Sequence, residues 1–281
     1  MPWWTPLLRP ETIHPIDAWW TWHLSVDAPT PLARAALAAG RADRLAAAFV
    51  SGYQAALESL FGHRVRGALA VTELGGGHPR SIETTLEADR LTGTKTFVSE
   101  GPNAEVVYVV ARTGDIDGRP TLKVARLRTG GPGQQFRDGP APPFVPEVPH
   151  GILELRDAPV DAVLEGDGYL RYVKPFRTVE DLHVLAASLG FALGEAARNG
   201  VDAGWRDDVL SVLVALAPLA EEDPGDPAVH LPLDALFRRA VPLLDAAPWT
   251  NAERWRRDRA LLGVAGRIRA KRLEKAREAL S

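Results

Sequence analysis

The sequence predicts an α+β fold: an N-terminal helical segment, a central antiparallel β domain and a C-terminal helical bundle. Three observations lead there. Residues 67–126 break into short runs rich in Val, Thr and Phe, separated by turn residues. The stretch Leu32 to Leu60 before them, and everything from Thr178 onward, instead spaces its apolar residues as helices do. Inside the strand-rich stretch, after its first run, sits the triplet Gly75, Gly76 and Gly77, which allows backbone conformations that a Cβ would forbid. The resulting division is 1–63 helical, 64–165 strand-rich and 166–281 helical.

In chain order, residues 1–30 hold five of the eight Trp residues, Trp3, Trp4, Trp19, Trp20 and Trp22. They read as anchors for a Pro-interrupted segment, ahead of the alternative of a ligand-stacking platform. Leu32 to Leu60 is Ala- and Leu-rich with a break near Gly40. Ala68 to Thr72 is a strand entering Glu73; Thr84 to Ala88 and Leu91 to Ser99 pair across an Asp89-Arg90 turn, and Val106 to Arg112 and Thr121 to Arg126 across Asp117-Gly118. Thr129 to His150 reads as a long Gly/Pro-rich loop, a surface excursion or a binding loop, before strands at Gly151 to Leu155 and Ala162 to Leu164.

From Thr178 an apolar stripe of Leu182, Leu185, Ala186, Leu189, Leu193 and Ala197 marks the first helix, and it needs an apolar partner inside the domain or across an interface. Val209 to Ala220 is a second, ended by an acidic, Pro-rich stretch, and Leu233 to Leu244 a third, limited by Pro242. Thr250 or Asn251 caps a last helix running almost unbroken from Ala252 to Leu280. Its ten Arg and Lys residues between Arg254 and Arg277 read as a solvated basic face, with phosphate or nucleic-acid contact a lesser alternative.

Composition narrows the chemistry. With no Cys there is no disulfide, thiolate metal site or thiol nucleophile, and the seven His residues are scattered without ligand spacing, so no metal is expected. A formal net charge of −3 gives no global attraction to nucleic acid. No apolar run reaches the roughly 20 residues that span a bilayer, and the opening lacks the features of a secretory signal, so the expected location is the cytoplasm.

Four stretches, taken in order, resemble the acyl-CoA dehydrogenases and their flavoprotein relatives. They are AlaValThrGlu followed by glycines (Ala70 to Gly77), LeuThrGlyThrLys (Leu91 to Lys95), PheValSer then Gly (Phe97 to Gly101), and ValValTyrValValAlaArgThr (Val106 to Thr113). The resemblance covers residues 65–165 most strongly and implies an acyl-CoA dehydrogenase-like fold with a shortened N-terminal helical part. It also implies flavin adenine dinucleotide (FAD) as cofactor and an acyl thioester as substrate. Assembly would be as a homo-oligomer or a mixed oligomer with a homologue.

The same resemblance places the cofactor against the β domain, with its ring between that domain and the C-terminal helices. Val71 and Thr72 would contact the polar edge of the ring, Ser99 its reactive nitrogen, and Phe97 one face, with Gly77 and His78 in the pyrophosphate stretch. Ser99 stands where the family usually has Thr, Phe97 where Trp is common and Thr92 where Asn is usual. His78-Pro79 replaces Ser-Asp, and Pro79 removes an amide donor. In place of the family's ArgxxPheGly motif stands Gly204 to Val209, where Arg206 reads first as a solvated charge and otherwise as the motif's one remnant.

Counting back from Glu253-Arg254-Trp255-Arg256-Arg257-Asp258 puts Trp249 at the position of the family's catalytic Glu, and the later Glu-Gly-Thr is absent around Gly266 to Ile268. An indole cannot take a proton. Glu73, Glu100 and Glu253 are substitute candidates, each read first as a surface or capping carboxylate. Three functions stay open: a degenerate acyl-CoA dehydrogenase-like flavoprotein, a non-catalytic binding or scaffold subunit, and a flavin monooxygenase-type relative.

Overall fold

The computed structural model describes residues 1–9 and 11–281. They form a helical unit of Met1–Gly62, Pro143–Val145 and Arg177–Ser281, and a strand unit of His63–Pro142 and Pro146–Phe176.

In the helical unit the Trp-rich opening makes short 3-10 turns and the helix α1 (Trp19–Ser25), which buries Trp19 and Trp22. Thr30 caps α2 (Pro31–Ala39) by accepting from the Ala33 amide at 3.1 Å, and Pro31 fills the first position, where its missing N–H is no loss. The predicted break falls at Gly40. Next, α3 (Leu45–Phe61) ends on Gly62, whose φ of 72° is the left-handed cap that glycine tolerates.

The predicted stripe lies on α4 (Lys174–Asn199), with Leu182, Leu185, Leu189 and Leu193 buried within this single chain. Small residues let α4 come close: a Cβ on Gly190 would overlap the Ala36 carbonyl, and one on Gly194 the Gly40 carbonyl. Replacing Gly194 by Ala should therefore push α2 and α4 apart and cost about 1–3 kcal/mol. A thermal melt followed by tryptophan fluorescence checks this; an unchanged midpoint would show that the helices can yield at no cost.

Three helix boundaries differ from expectation. The second C-terminal helix, α5 (Ala203–Leu219), starts earlier because Asp202 caps it, accepting from Gly204 at 2.8 Å and Trp205 at 3.3 Å. The third, α6 (Pro227–Asp245), continues through Pro232 and Pro242, since its buried face of Leu233, Leu236, Phe237, Ala240 and Leu244 outweighs the lost hydrogen bonds. The last is broken: Asn251 caps α7 (Ala252–Asp258), a 3-10 segment Arg259–Gly263 follows, and α8 (Gly266–Leu280) resumes. Gly263 and Gly266, poor helix formers, bracket the break. Among the described residues no helix is long and apolar enough to cross a membrane.

The strand unit is an eight-stranded sheet: β1 (Gly67–Ala70), β2 (Thr85–Glu87), β3 (Arg90–Ser99), β4 (Val106–Ile116), β5 (Arg119–Arg128), β6 (Gln134–Asp138), β7 (His150–Pro159) and β8 (Ala162–Val163). The order is β6-β7-β3-β2-β4-β5-β8, with β1 paired to β4. Its pairings are antiparallel except β1–β4 and a single β2–β4 bridge. Alternate residues on one face of the sheet build its core, Val107, Val109 and Ala111 on β4, Ala125 and Leu127 on β5, and Leu153 and Leu155 on β7, while Tyr108 and Val110 are buried on the other face of β4.

The Asp117-Gly118 turn forms where predicted, with φ of 51° and 71°. The other hairpin turns one residue earlier, at Ala88-Asp89, where φ is 45° and 59°. Thr129 to His150 is likewise not all loop. It contains β6, which pairs with β7 and is mostly exposed, so its residues lack the apolar alternation that reveals a strand.

Candidate functional site

The residues singled out from sequence lie where β1 runs out and β3 is irregular. Val71 and Thr72 follow β1, and the Thr72 carbonyl accepts from the Thr96 amide at 2.7 Å. The chain then reverses in a tight loop in which Glu73 and Gly76 exchange backbone hydrogen bonds at 3.1 and 2.9 Å, with Gly76 at φ 101°. Gly77 returns against the start of the loop: a Cβ there would meet Thr72 Oγ1 at 3.5 Å and Val71 Cγ1 at 3.7 Å.

Beside this loop β3 carries a bulge between Lys95 and Val98. In a regular strand those two side chains would face opposite ways; the extra residue turns both inward, and each is fully buried. It also leaves Phe97 at φ 53° and 58% exposed, a left-handed conformation that strains a bulky residue. Ser99 is half-buried, about three residues and so roughly 10 Å along β3 from Thr96.

Under the loop lies an ion pair that the sequence reading missed. Lys95 Nζ donates to Glu73 Oε1 at 2.5 Å and to the Val71 carbonyl at 3.2 Å, while Glu73 also accepts from the Glu83 amide at 2.7 Å and the Thr84 amide at 3.1 Å. Burial draws the Lys95 ammonium down to about 8 against the pull of Glu73. Burial raises the Glu73 carboxyl, but the Lys95 charge and the hydrogen bonds from Lys95, Thr84 and Glu83 outweigh it and hold the group below its usual value. The pair fixes both ends of the segment Val71–Thr84.

Val71, Thr72 and Gly77 thus form one cluster, with Phe97 beside it on the bulge and Ser99 further along the strand. His78 follows the cluster in sequence but its ring is engaged elsewhere: Nδ1 accepts from the Arg80 amide at 3.2 Å and caps the 3-10 turn Pro79–Ser81. Among the described residues no protein group hydrogen-bonds the hydroxyls of Thr72 and Ser99 or the amides of Gly77 and His78.

Two of the three candidate bases are placed differently from expectation. Neither Glu73 nor Glu100 is at the surface. Glu100 is 2% exposed, and its Oε2 accepts from Arg66 Nη2 at 2.6 Å; burial raises its carboxyl above the usual range against the pull of Arg66. Glu253 is exposed in the first turn of α7. Arg206 is half-buried on α5, with its Nε unpartnered. In the helical unit Trp249 stacks on Trp255 with centroids 4.3 Å apart, packs on Phe191 at 5.1 Å, and donates from Nε1 to the Leu244 carbonyl at 2.9 Å.

No protein-family model and no curated protein matches the sequence. Solved structures do match its fold. Butyryl-CoA dehydrogenase from Megasphaera elsdenii aligns over 89% of this chain and 82% of its own, with a TM-score of 0.63 and 15% identity. An acyl-CoA dehydrogenase from Geobacillus kaustophilus aligns over 94% and 90%, again at 0.63 and 15%. The fold is acyl-CoA dehydrogenase-like. A third structure with this acyl-CoA dehydrogenase-like fold, an FAD complex of PigA, aligns over 94% and 84% with a TM-score of 0.57 and 12% identity. Identities this low establish the fold and leave chemistry to the residues.

Proposed function

We propose that the protein is a flavin-binding member of this fold that has lost acyl-CoA dehydrogenation. One observation carries the binding half: a phenyl ring held outward at positive φ on a bulge, beside half-buried Thr72 and Ser99 hydroxyls that have no protein partner. A flat heteroaromatic ring needs an apolar cover and a few fixed polar contacts, and these residues supply both.

Val71, Thr72, Phe97 and Ser99 would hold the ring, and the free amides of Gly77 and His78 would take the phosphates. The pyrophosphate end is poorer. Pro79 has no N–H, and the His78 imidazole is committed to Arg80. When bound, the flavin would supply hydride or electron transfer.

Loss of dehydrogenation follows from the carboxylates. Removing an α-proton from an acyl thioester needs a base, and general base catalysis is worth about 10²–10⁴ in rate. Glu73 is ion-paired with Lys95, Glu100 is buried against Arg66, Glu253 is exposed in the first turn of α7, and the indole at Trp249 accepts no proton. The aromatic packing of Trp249 equally suits a subunit that keeps the fold for binding alone.

The test is reconstitution with FAD, followed by addition of saturated acyl-CoAs of several chain lengths. The expected result is a yellow protein whose flavin absorbance does not bleach, and in which Thr72→Val or Phe97→Ala weakens FAD binding about tenfold. A colourless protein would overturn the binding half. Rapid bleaching would reveal a base elsewhere.

A further inference from the structure

We propose that a second cavity, beside Trp249 in the helical unit, binds a small planar carboxylate of about the size of benzoate. Its volume is about 220 Å³, and residues from the start of α3, from α4 and from the segment leading into α7 line it. Aromatic rings form one wall: Trp249 and Trp255 stack at an interplanar angle of 19°, and Phe191 tilts against Trp249 at 34°. Such a wall takes a flat apolar body.

The charges around the cavity decide the rest of the ligand. Asp43 is matched by Arg44 at 2.6 Å, Glu195 by Arg198 at 2.8 Å and Asp258 by Arg257 at 2.6 Å. Backbone amides add to two of them: Thr250 donates to Glu195 Oε2 at 2.6 Å, and Val145 to Asp258 Oδ1 at 2.8 Å. Each carboxylate therefore has its own counter-ion.

Arg254 also lines the cavity, and among the described residues it pairs with no carboxylate. Its guanidinium reaches only the Asp43 carbonyl, at 3.5 Å, the outer limit of a hydrogen bond. The neighbourhood carries one cation in excess, on a half-buried side chain whose planar fork of donors is almost unused. A monoanion with a planar head balances that charge. A phosphate dianion would leave a negative charge among three carboxylates.

The site lies wholly in the helical unit and stands whether or not the strand unit binds flavin. The experiment is isothermal titration of the whole chain with benzoate, with benzamide as its neutral isostere, repeated on Arg254→Gln and Arg254→Lys. Benzoate should bind one to one, benzamide about tenfold or more weaker, with a similar loss in Arg254→Gln and a smaller one in Arg254→Lys. Because the guanidinium makes one marginal contact, Arg254→Gln should melt as the parent does; should it fail to fold, the benzamide comparison and the Lys variant still decide. No benzoate binding up to millimolar concentration, equal binding of benzamide, or unchanged affinity in Arg254→Gln would overturn the proposal.

Discussion

Replacing Lys95 by Met is expected to cost about 3–5 kcal/mol of stability, because it leaves the Glu73 carboxylate buried without its counter-charge. The Met side chain fills nearly the same volume, so packing is preserved and the loss reports the missing charge. Two amides, from Glu83 and Thr84, still reach Glu73 and keep the cost from rising further. The double variant Lys95→Met/Glu73→Gln should recover much of the loss, since removing both charges of a buried pair is often neutral. All eight Trp residues lie in the helical unit, so fluorescence is blind to this change. Urea unfolding followed by hydrogen exchange at Glu83, Thr84 and Thr96 reads it directly. A loss below about 1 kcal/mol would mean that the pair is solvated and that the loop is held by other contacts.

The second large effect is acid sensitivity centred on His183. This residue sits on α4 at 1% exposure, with Nδ1 2.7 Å from the Val179 carbonyl. Burial draws the imidazole down to about 4, against the small upward pull of that carbonyl. In the unfolded chain the ring takes its proton near pH 6.5; in the folded chain it stays neutral until near pH 4. Between these values the unfolded state binds more protons, so this stability is complete above pH 6.5 and is lost as pH falls toward 4. The span corresponds to roughly 3 kcal/mol. Here fluorescence is the right probe. Glu180 on the same helix, raised by burial to about 8, gains stability as pH falls and acts in the opposite sense. The difference between parent and His183→Gln, which keeps a donor for Val179 but does not titrate, therefore isolates the imidazole. From pH 7 to 4 the parent's urea midpoint should drop relative to the variant's. Parallel curves would show that other groups drive acid unfolding.

Most of the fold could be read from the residues because each element carries its own signal. Leu32 to Leu60 has helical spacing with a break at Gly40, Asp117-Gly118 forms a hairpin turn, and Val106 to Arg112 is an apolar run rich in β-branched residues. The misreadings have physical causes. Gln134 to Asp138 form a mostly exposed strand with no apolar face to announce it, and Pro242 is tolerated because a buried stripe runs past it.

Lys95 was within reach. Leu91, Gly93 and Lys95 share the parity of the inward face of β3, and a lysine placed there requires a carboxylate, which Glu73 supplies. The bulge at Phe97 has no comparable signature, and the positive φ is visible only in the folded chain. The cavity near Arg254 could not be read at all, since Asp43, Phe191, Glu195 and Trp249 come from distant stretches and only packing brings them to one surface.

The order in which the two units alternate along the chain bears on synthesis. The helical unit is assembled from three separate stretches, while the strand unit, apart from Pro143–Val145, is one continuous stretch from His63 to Phe176. On a translating ribosome the strand unit can emerge whole and pair its eight strands while the first sixty or so residues wait for α4 and the helices after it. Within those waiting residues α1, α2 and α3 can already pack on one another, while the side of α2 around Ala36 and Gly40, which Gly190 and Gly194 of α4 approach, stays open. The surface that waits longest for its partner during synthesis is therefore the side of α2 that α4 covers.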